Sequence, residues 1–117
     1  MKLSQLWNEH PELFGKEKAE GVFPLLTKII DAKADLSIQV HPSDDYAKVH
    51  ENGSLGKTEC WYILDCPEGA TLVVGHNAKD KEECAKMIHE GRWSEFIREV
   101  PIRKGDFVSI VPGTVQR

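Results

Sequence analysis

From Pro24 onward the apolar residues fall into short extended runs, each closed by proline, glycine or a polar turn, and this punctuation constrains the fold most. PLLTKIIDAK (24–33) and ADLSIQVHP (34–42) are rich in Leu, Ile and Val, and the second stops at Pro42. KTECWYILD (57–65) runs through the Pro67-Glu68-Gly69 turn into ATLVVGH (70–76), which predicts a hairpin. IRKGDFVSIVPGT (102–114) reads as strand, turn, strand. Short antiparallel strands of this kind predict a mostly β fold, a sandwich or barrel rather than a parallel sheet.

Helical signals interrupt the pattern. Ser4 predicts a cap for a turn through Glu9, Pro11 opens another turn and Gly15 stops it, so residues 1–23 read as a lead-in segment. Ser43 ahead of DDYAKVHEN predicts a single capped helical turn, followed by the glycine-rich loop 51–56. In NAKDKEECAKMIHEG, Asp80 with Glu83 forms a capping box and Gly91 is the stop, leaving Cys84, Met87 and Ile88 as the apolar face. A shorter helix is predicted over WSEFIREV (93–100), which makes 79–97 a helical insertion in one domain spanning 1–117.

Composition removes several function classes. With 117 residues, 40% of them hydrophobic, the chain buries a modest core, and a net charge of −4 leaves no basic stripe for nucleic acid or an anionic membrane. No run reaches the ~18 apolar residues of a membrane span, and MKLSQLWNEHPELFG lacks a signal-peptide core, so the expected location is the cytoplasm. Cys60, Cys66 and Cys84 have no CxxC spacing and read as reduced thiols used in packing.

The segment GSLGKT (53–58) ends like a phosphate-binding P-loop, but Glu51 stands where its first glycine is required and a strand follows where a helix should. More telling is the strand around Gln39. Ser37, Gln39 and His41 alternate with Leu36, Ile38 and Val40, so one face carries a hydroxyl, an amide and an imidazole. Alone, this is an ordinary strand with one solvated face. Lys57 and Glu59 likewise share a face at the start of the next strand, where an exposed ion pair is the ordinary reading. Brought together, the two strands supply an imidazole, an amide and a carboxylate for a metal, with a cation nearby. His10, His50, His76 and His89 lie in or beside turns, helices and loops and receive no role; Asp44 and Asp45 serve the turn and helix start. Trp61 and Tyr62 point to opposite faces of their strand.

LSIQVHPSDDYA, GKTECWYIL after its glycine-rich loop, and KGDFVSIVPGTV closely resemble the type I mannose-6-phosphate isomerases in their short bacterial form. The resemblance runs along nearly the whole chain and implies a cupin-type jelly-roll barrel with helical insertions. It implies one zinc ion and interconversion of mannose 6-phosphate and fructose 6-phosphate through an enediol. Gln39, His41 and Glu59 match three metal ligands, while Ser37 and Lys57 match positions next to the hexose phosphate and carry its catalysis. The fourth family ligand is a histidine after Gly-Thr-Val; here Gln116 follows Gly113-Thr114-Val115, next to the last residue, where fraying is expected. The family's chain continues well beyond this point and supplies an active-site arginine. The resemblance therefore implies the amino-terminal part of such an enzyme, with zinc weakly held, activity impaired and exposed strand edges that pair in a homodimer. The competing expectation is a non-catalytic cupin module that binds a metal or a sugar phosphate.

Overall fold

Trp7 organises the first of two units into which the chain divides, residues 1–31 and 32–117. It is buried, its ring meets Phe14 and Phe23 edge-on at centroid distances of 5.3 and 5.4 Å, and its indole Nε1 donates to the Gly21 carbonyl at 3.1 Å. The computed structural model describes residues 1–16 and 18–117. Helix α1 spans Leu3–Glu9 and starts two residues earlier than the Ser4 cap implies, with Lys2 at the cap: Gln5 reaches back to accept from the Lys2 amide at 3.0 Å. Pro11 opens a 3-10 turn, Pro11–Phe14, stopped at Gly15 as expected. The run 24–33 forms no strand. Leu25, Leu26, Ile29 and Ile30 are all exposed, because aliphatic residues make a strand only where a second strand pairs with them.

The second unit holds two antiparallel sheets and a few short helices; among the described residues the strands close no barrel. Its strands are β1 (Gln39–Val40), β2 (Glu59–Tyr62), β3 (Thr71–His76), β4 (Ile97–Pro101), β5 (Phe107–Ile110) and β6 (Val115–Gln116). Four of them form one sheet in the order β1-β6-β3-β4, and β2 pairs with β5 in the other. The hairpin predicted between β2 and β3 is thus replaced. The Pro67–Gly69 turn does reverse the chain, with Ala70 N donating to Pro67 O at 3.2 Å, but residues 63–70 are too long a link to enforce tight pairing. Burial of the strand faces then selects the partners. Gln116 does not fray: β6 sits between β1 and β3, and Arg117 exchanges both backbone hydrogen bonds with Val73.

Local helix signals fare better. Ser43 Oγ accepts from Tyr46 N at 3.3 Å and caps α2, Asp44–His50, a longer helix than the single turn expected. Asp80 caps α3, Lys81–His89, by accepting from Glu83 N at 2.8 Å, while the Glu83 carboxylate accepts from Lys79 N rather than closing a capping box on Asp80. Met87 is buried and Cys84 half-buried, but Ile88 is exposed. The helix expected over 93–100 is a single turn, α4, Trp93–Phe96; from Ile97 the chain becomes β4, where Ile97 and Val100 pair along β3. The core is Val73, Met87, Phe96 and Val115, flanked by Ile38, Ala78, Cys84 and Ile97. Each large aliphatic or aromatic side chain so buried contributes about 1.5–3 kcal/mol. All three cysteines are free, and Cys60 is exposed rather than packed. No helix among the described residues is long and apolar enough to cross a membrane.

Candidate functional site

Three chain segments meet at the polar end of the four-stranded sheet. His41 follows β1 and is pinned to the turn before β6, where Gly113 N donates to His41 O at 2.8 Å; that turn needs the left-handed backbone (φ 83°) that glycine adopts without strain. The loop before β2 docks onto the corner after His41. Gly56 N donates to Asp44 Oδ1 at 2.8 Å and Lys57 N donates to Pro42 O at 3.0 Å. A Cβ on residue 56 would lie 2.7 Å from the Pro42 carbonyl oxygen and closer still to Ser43 C and Asp44 N, so only glycine allows this approach. The loop read as a failed P-loop is therefore a docking surface for backbone, and it delivers Lys57 and Glu59 to His41.

The resulting cluster is close. The Lys57 ammonium pairs with Glu59 Oε1 and lies 3.3 Å from His41 Nε2; His41 Nε2 is 3.4 Å from Glu59 Oε2. Gln116 Nε2 donates to that same Glu59 Oε2 at 2.7 Å. Lys57 is the most open of the four and Gln116 is buried. Burial pushes the Glu59 carboxyl up, but hydrogen bonds from Lys57 and Gln116, with the charges of Lys57 and His41, outweigh it and hold the pKa at about 2. Glu59 is thus an anion at neutral pH, as a ligand must be.

Gln39 and Ser37 bond to each other, Gln39 Nε2 donating to Ser37 Oγ at 2.7 Å, which leaves the Gln39 carbonyl oxygen free of that bond. Gln39 is also the cross-strand partner of Gln116, so the two amides share one face of the sheet. Of the five residues expected at the site, the structure gathers His41, Lys57 and Glu59; Ser37 bonds Gln39, and Gln39 is linked to the cluster through its cross-strand partner Gln116. Sequence reasoning gave Asp44 only to the turn and helix start and missed its bond to Gly56, the close approach at Gly56 and the burial of Gln116. A glycine between two polar turns was the available signal for the approach at Gly56; nothing local signals that Gln116 is buried, since β6 is covered by β1 and β3 from far along the chain.

The donor set suits a divalent cation. The Lys57 ammonium has only protons to give, so its 3.3 Å contact with His41 Nε2 is a hydrogen bond in the tautomer whose Nε2 carries a lone pair, the form in which imidazole ligates. His41 Nε2 and Glu59 Oε2 then face each other as two acceptors at 3.4 Å. Two donors ~2.1 Å from a tetrahedral ion lie ~3.4 Å apart, so the pair already has the spacing of adjacent ligands. Gln116 Oε1 is buried without a hydrogen-bond partner, a further oxygen at the same place. Among the described residues no three His, Cys, Asp or Glu side chains converge, so an ion held here takes carboxamide oxygens as well. A cleft of about 380 Å³ is lined by the 113–115 turn that pins His41 and by His76, Arg98 and Ser109. His76 stacks on Phe96 and Arg98 Nε donates to Val74 O at 2.9 Å, both structural contacts.

The chain as a whole is similar to known proteins. Residues 1–68 match the family described as phosphomannose isomerase type I, catalytic domain. Over 113 residues the chain is 56% identical to mannose-6-phosphate isomerase ManA of Bacillus subtilis (strain 168), covering 97% of this chain and 36% of that protein. It is 51% identical over the same length to a mannose-6-phosphate isomerase of Streptococcus mutans, covering 97% of this chain and 35% of that protein. The crystal structure of the mannose 6-phosphate isomerase from Bacillus subtilis superposes with a TM-score of 0.83 at 50% identity, over 96% of this chain and 35% of that one. The chain therefore spans just over a third of the length of the curated relatives it matches.

Proposed function

This chain belongs to the type I phosphomannose isomerase family, and from that membership we propose that it carries the metal-holding part of an aldose–ketose isomerase centre. The reaction is mannose 6-phosphate to fructose 6-phosphate through an enediol. The observation that supports the reading is the convergence of His41, Lys57 and Glu59, on two separate strands' ends, within 3.4 Å of one another.

Zinc is the proposed ion; when bound, it supplies a Lewis acid that spreads the negative charge developing on the sugar oxygens. His41 Nε2 and Glu59 Oε2 hold it, with Gln39 contributing its carbonyl oxygen from β1. Lys57 is the exposed member of the cluster, so its ammonium reaches the substrate and stabilises developing oxyanion charge. The Ser37 hydroxyl accepts from Gln39 and keeps its own O–H for a sugar hydroxyl or phosphate oxygen. Glu59 is ionised before an ion arrives, because Lys57 and Gln116 hydrogen-bond its charged form.

The residues gathered here hold an ion and one ammonium but supply few donors for a phosphate, so the chain alone turns over slowly. A coupled assay of the purified chain with zinc and mannose 6-phosphate tests this: the expected rate is about 10²–10⁴-fold below that of a full-length relative. An equal rate overturns the impairment. Zinc binding that survives Glu59→Gln unchanged overturns the metal reading. A second reading is a non-catalytic module that binds a metal or a sugar phosphate; zinc binding with no turnover at all selects it. Exposed strand edges are also proposed to pair in a homodimer, which light scattering after size exclusion checks: a clean monomer at high concentration contradicts it.

A further inference from the structure

Among the described residues Gln116 is the one buried polar side chain, 3% exposed, and its Oε1 is the one buried side-chain polar atom with no hydrogen-bond partner. A buried carbonyl oxygen left unpaired is costly, and such a group in a folded protein calls for a partner. Its other end is well placed: Nε2 donates to Glu59 Oε2 at 2.7 Å, beside His41 Nε2. The backbone gives Gln116 no freedom to move away, since β6 is paired with β1 at Gln39 and with β3 at Val74.

We propose that Gln116 is itself a ligand of this centre, its carboxamide turning over so that Oε1 replaces Nε2 against Glu59 and His41 when a divalent cation is bound. The inference rests on the metal reading above. Nε2 and Oε1 are nearly the same size, so rotation about the last side-chain torsion exchanges them within one volume and requires no backbone movement. Without a cation, an N–H facing Glu59 is favourable and an oxygen there would repel the carboxylate. With a cation, the amide N–H has no lone pair to offer and the oxygen does. The same side chain therefore satisfies Glu59 in one state and completes the shell in the other. The resulting set has one imidazole nitrogen among oxygens from Glu59, Gln39 and Gln116, a shell that also suits cations harder than zinc, such as Mn²⁺.

Isothermal titration of Zn²⁺ and of Mn²⁺ into the chelator-stripped chain tests this with Gln116→Glu and Gln116→Leu, and cation-free thermal unfolding reports on the fold. Gln116→Glu removes the hydrogen bond to Glu59 and sets two carboxylates against each other, yet adds an anionic oxygen donor. A ligand role predicts that it melts lower without cation and binds at least about tenfold more tightly, whereas Gln116→Leu binds at least about tenfold more weakly. If Gln116 only props Glu59, both variants lose affinity, and that result overturns the proposal, as does Gln116→Leu binding like the parent chain. Should Gln116→Leu not fold, the sign of the Gln116→Glu effect decides. A parent chain and Gln116→Glu that both bind neither cation overturn the metal reading and this inference together; loss of the inference alone leaves parent binding intact.

Discussion

Residues 22–30 and 71–76 are similarly aliphatic, yet one stretch stays exposed and the other builds the core. Val22, Leu25 and Ile29 are 70–90% exposed, whereas Val73 is 3% exposed. β3 has β6 on one side and β4 on the other, and α3 and α4 bring Met87 and Phe96 to the same cluster. The run at 22–30 has no strand beside it among the described residues. Aliphatic content thus measures readiness to be buried, and pairing decides whether burial happens.

The comparison breaks if the core does not carry the stability. Phe96→Ala, in the buried cluster, is expected to cost about 3–5 kcal/mol in urea unfolding. A loss below about 1 kcal/mol would mean that the cluster is loosely packed. Next in size is the charged end of the same sheet. Glu59 holds its pKa at about 2 against an ordinary 4.5, so as pH falls the unfolded chain takes up the proton first. That contribution is fully present above pH 4.5 and lost as pH falls towards 2; it amounts to at most about 3 kcal/mol. Acid unfolding of the chelator-treated chain should show this limb, and Glu59→Gln should flatten it.

Gly56→Ala sharpens the contrast between packing of side chains and packing of backbone. The added methyl meets the Pro42 carbonyl and the chain at 43–44, and an expected loss of about 1–3 kcal/mol should come with weaker cation binding, because the loop carries Lys57 and Glu59. The smallest effect belongs to the exposed run. Ile29→Ser should change stability by no more than about 0.5 kcal/mol by urea unfolding. A loss above about 1.5 kcal/mol would show that this run is buried in solution and would end the comparison.

Much of the site was legible because it depends on alternation. Lys57 and Glu59, two residues apart, do point together, and His41 two residues beyond Gln39 lies where the strand ends at Pro42. Helix starts were legible at Ser43 and Asp80, since a cap is a bond between residues three apart. The hairpin between β2 and β3 was misread because a turn signal describes reversal and not pairing. WSEFIREV was misread because Ile97 and Val100 suit a helix face as well as a strand, and β3 chose the strand.

By itself the sequence determined the caps at Ser43 and Asp80, the turns at Gly15 and Pro67, the shared face of Lys57 and Glu59 and the family to which the chain belongs. All of these rest on dihedral preferences and bonds between near neighbours, or on residue identity alone. The tertiary structure decided which strand lies beside which, that Gln116 is interior rather than frayed, and that Gly56 admits the Lys57 loop to the Pro42 corner. Those outcomes depend on contacts between residues far apart in the chain, where burial of a face and close approach of backbone outweigh local preference.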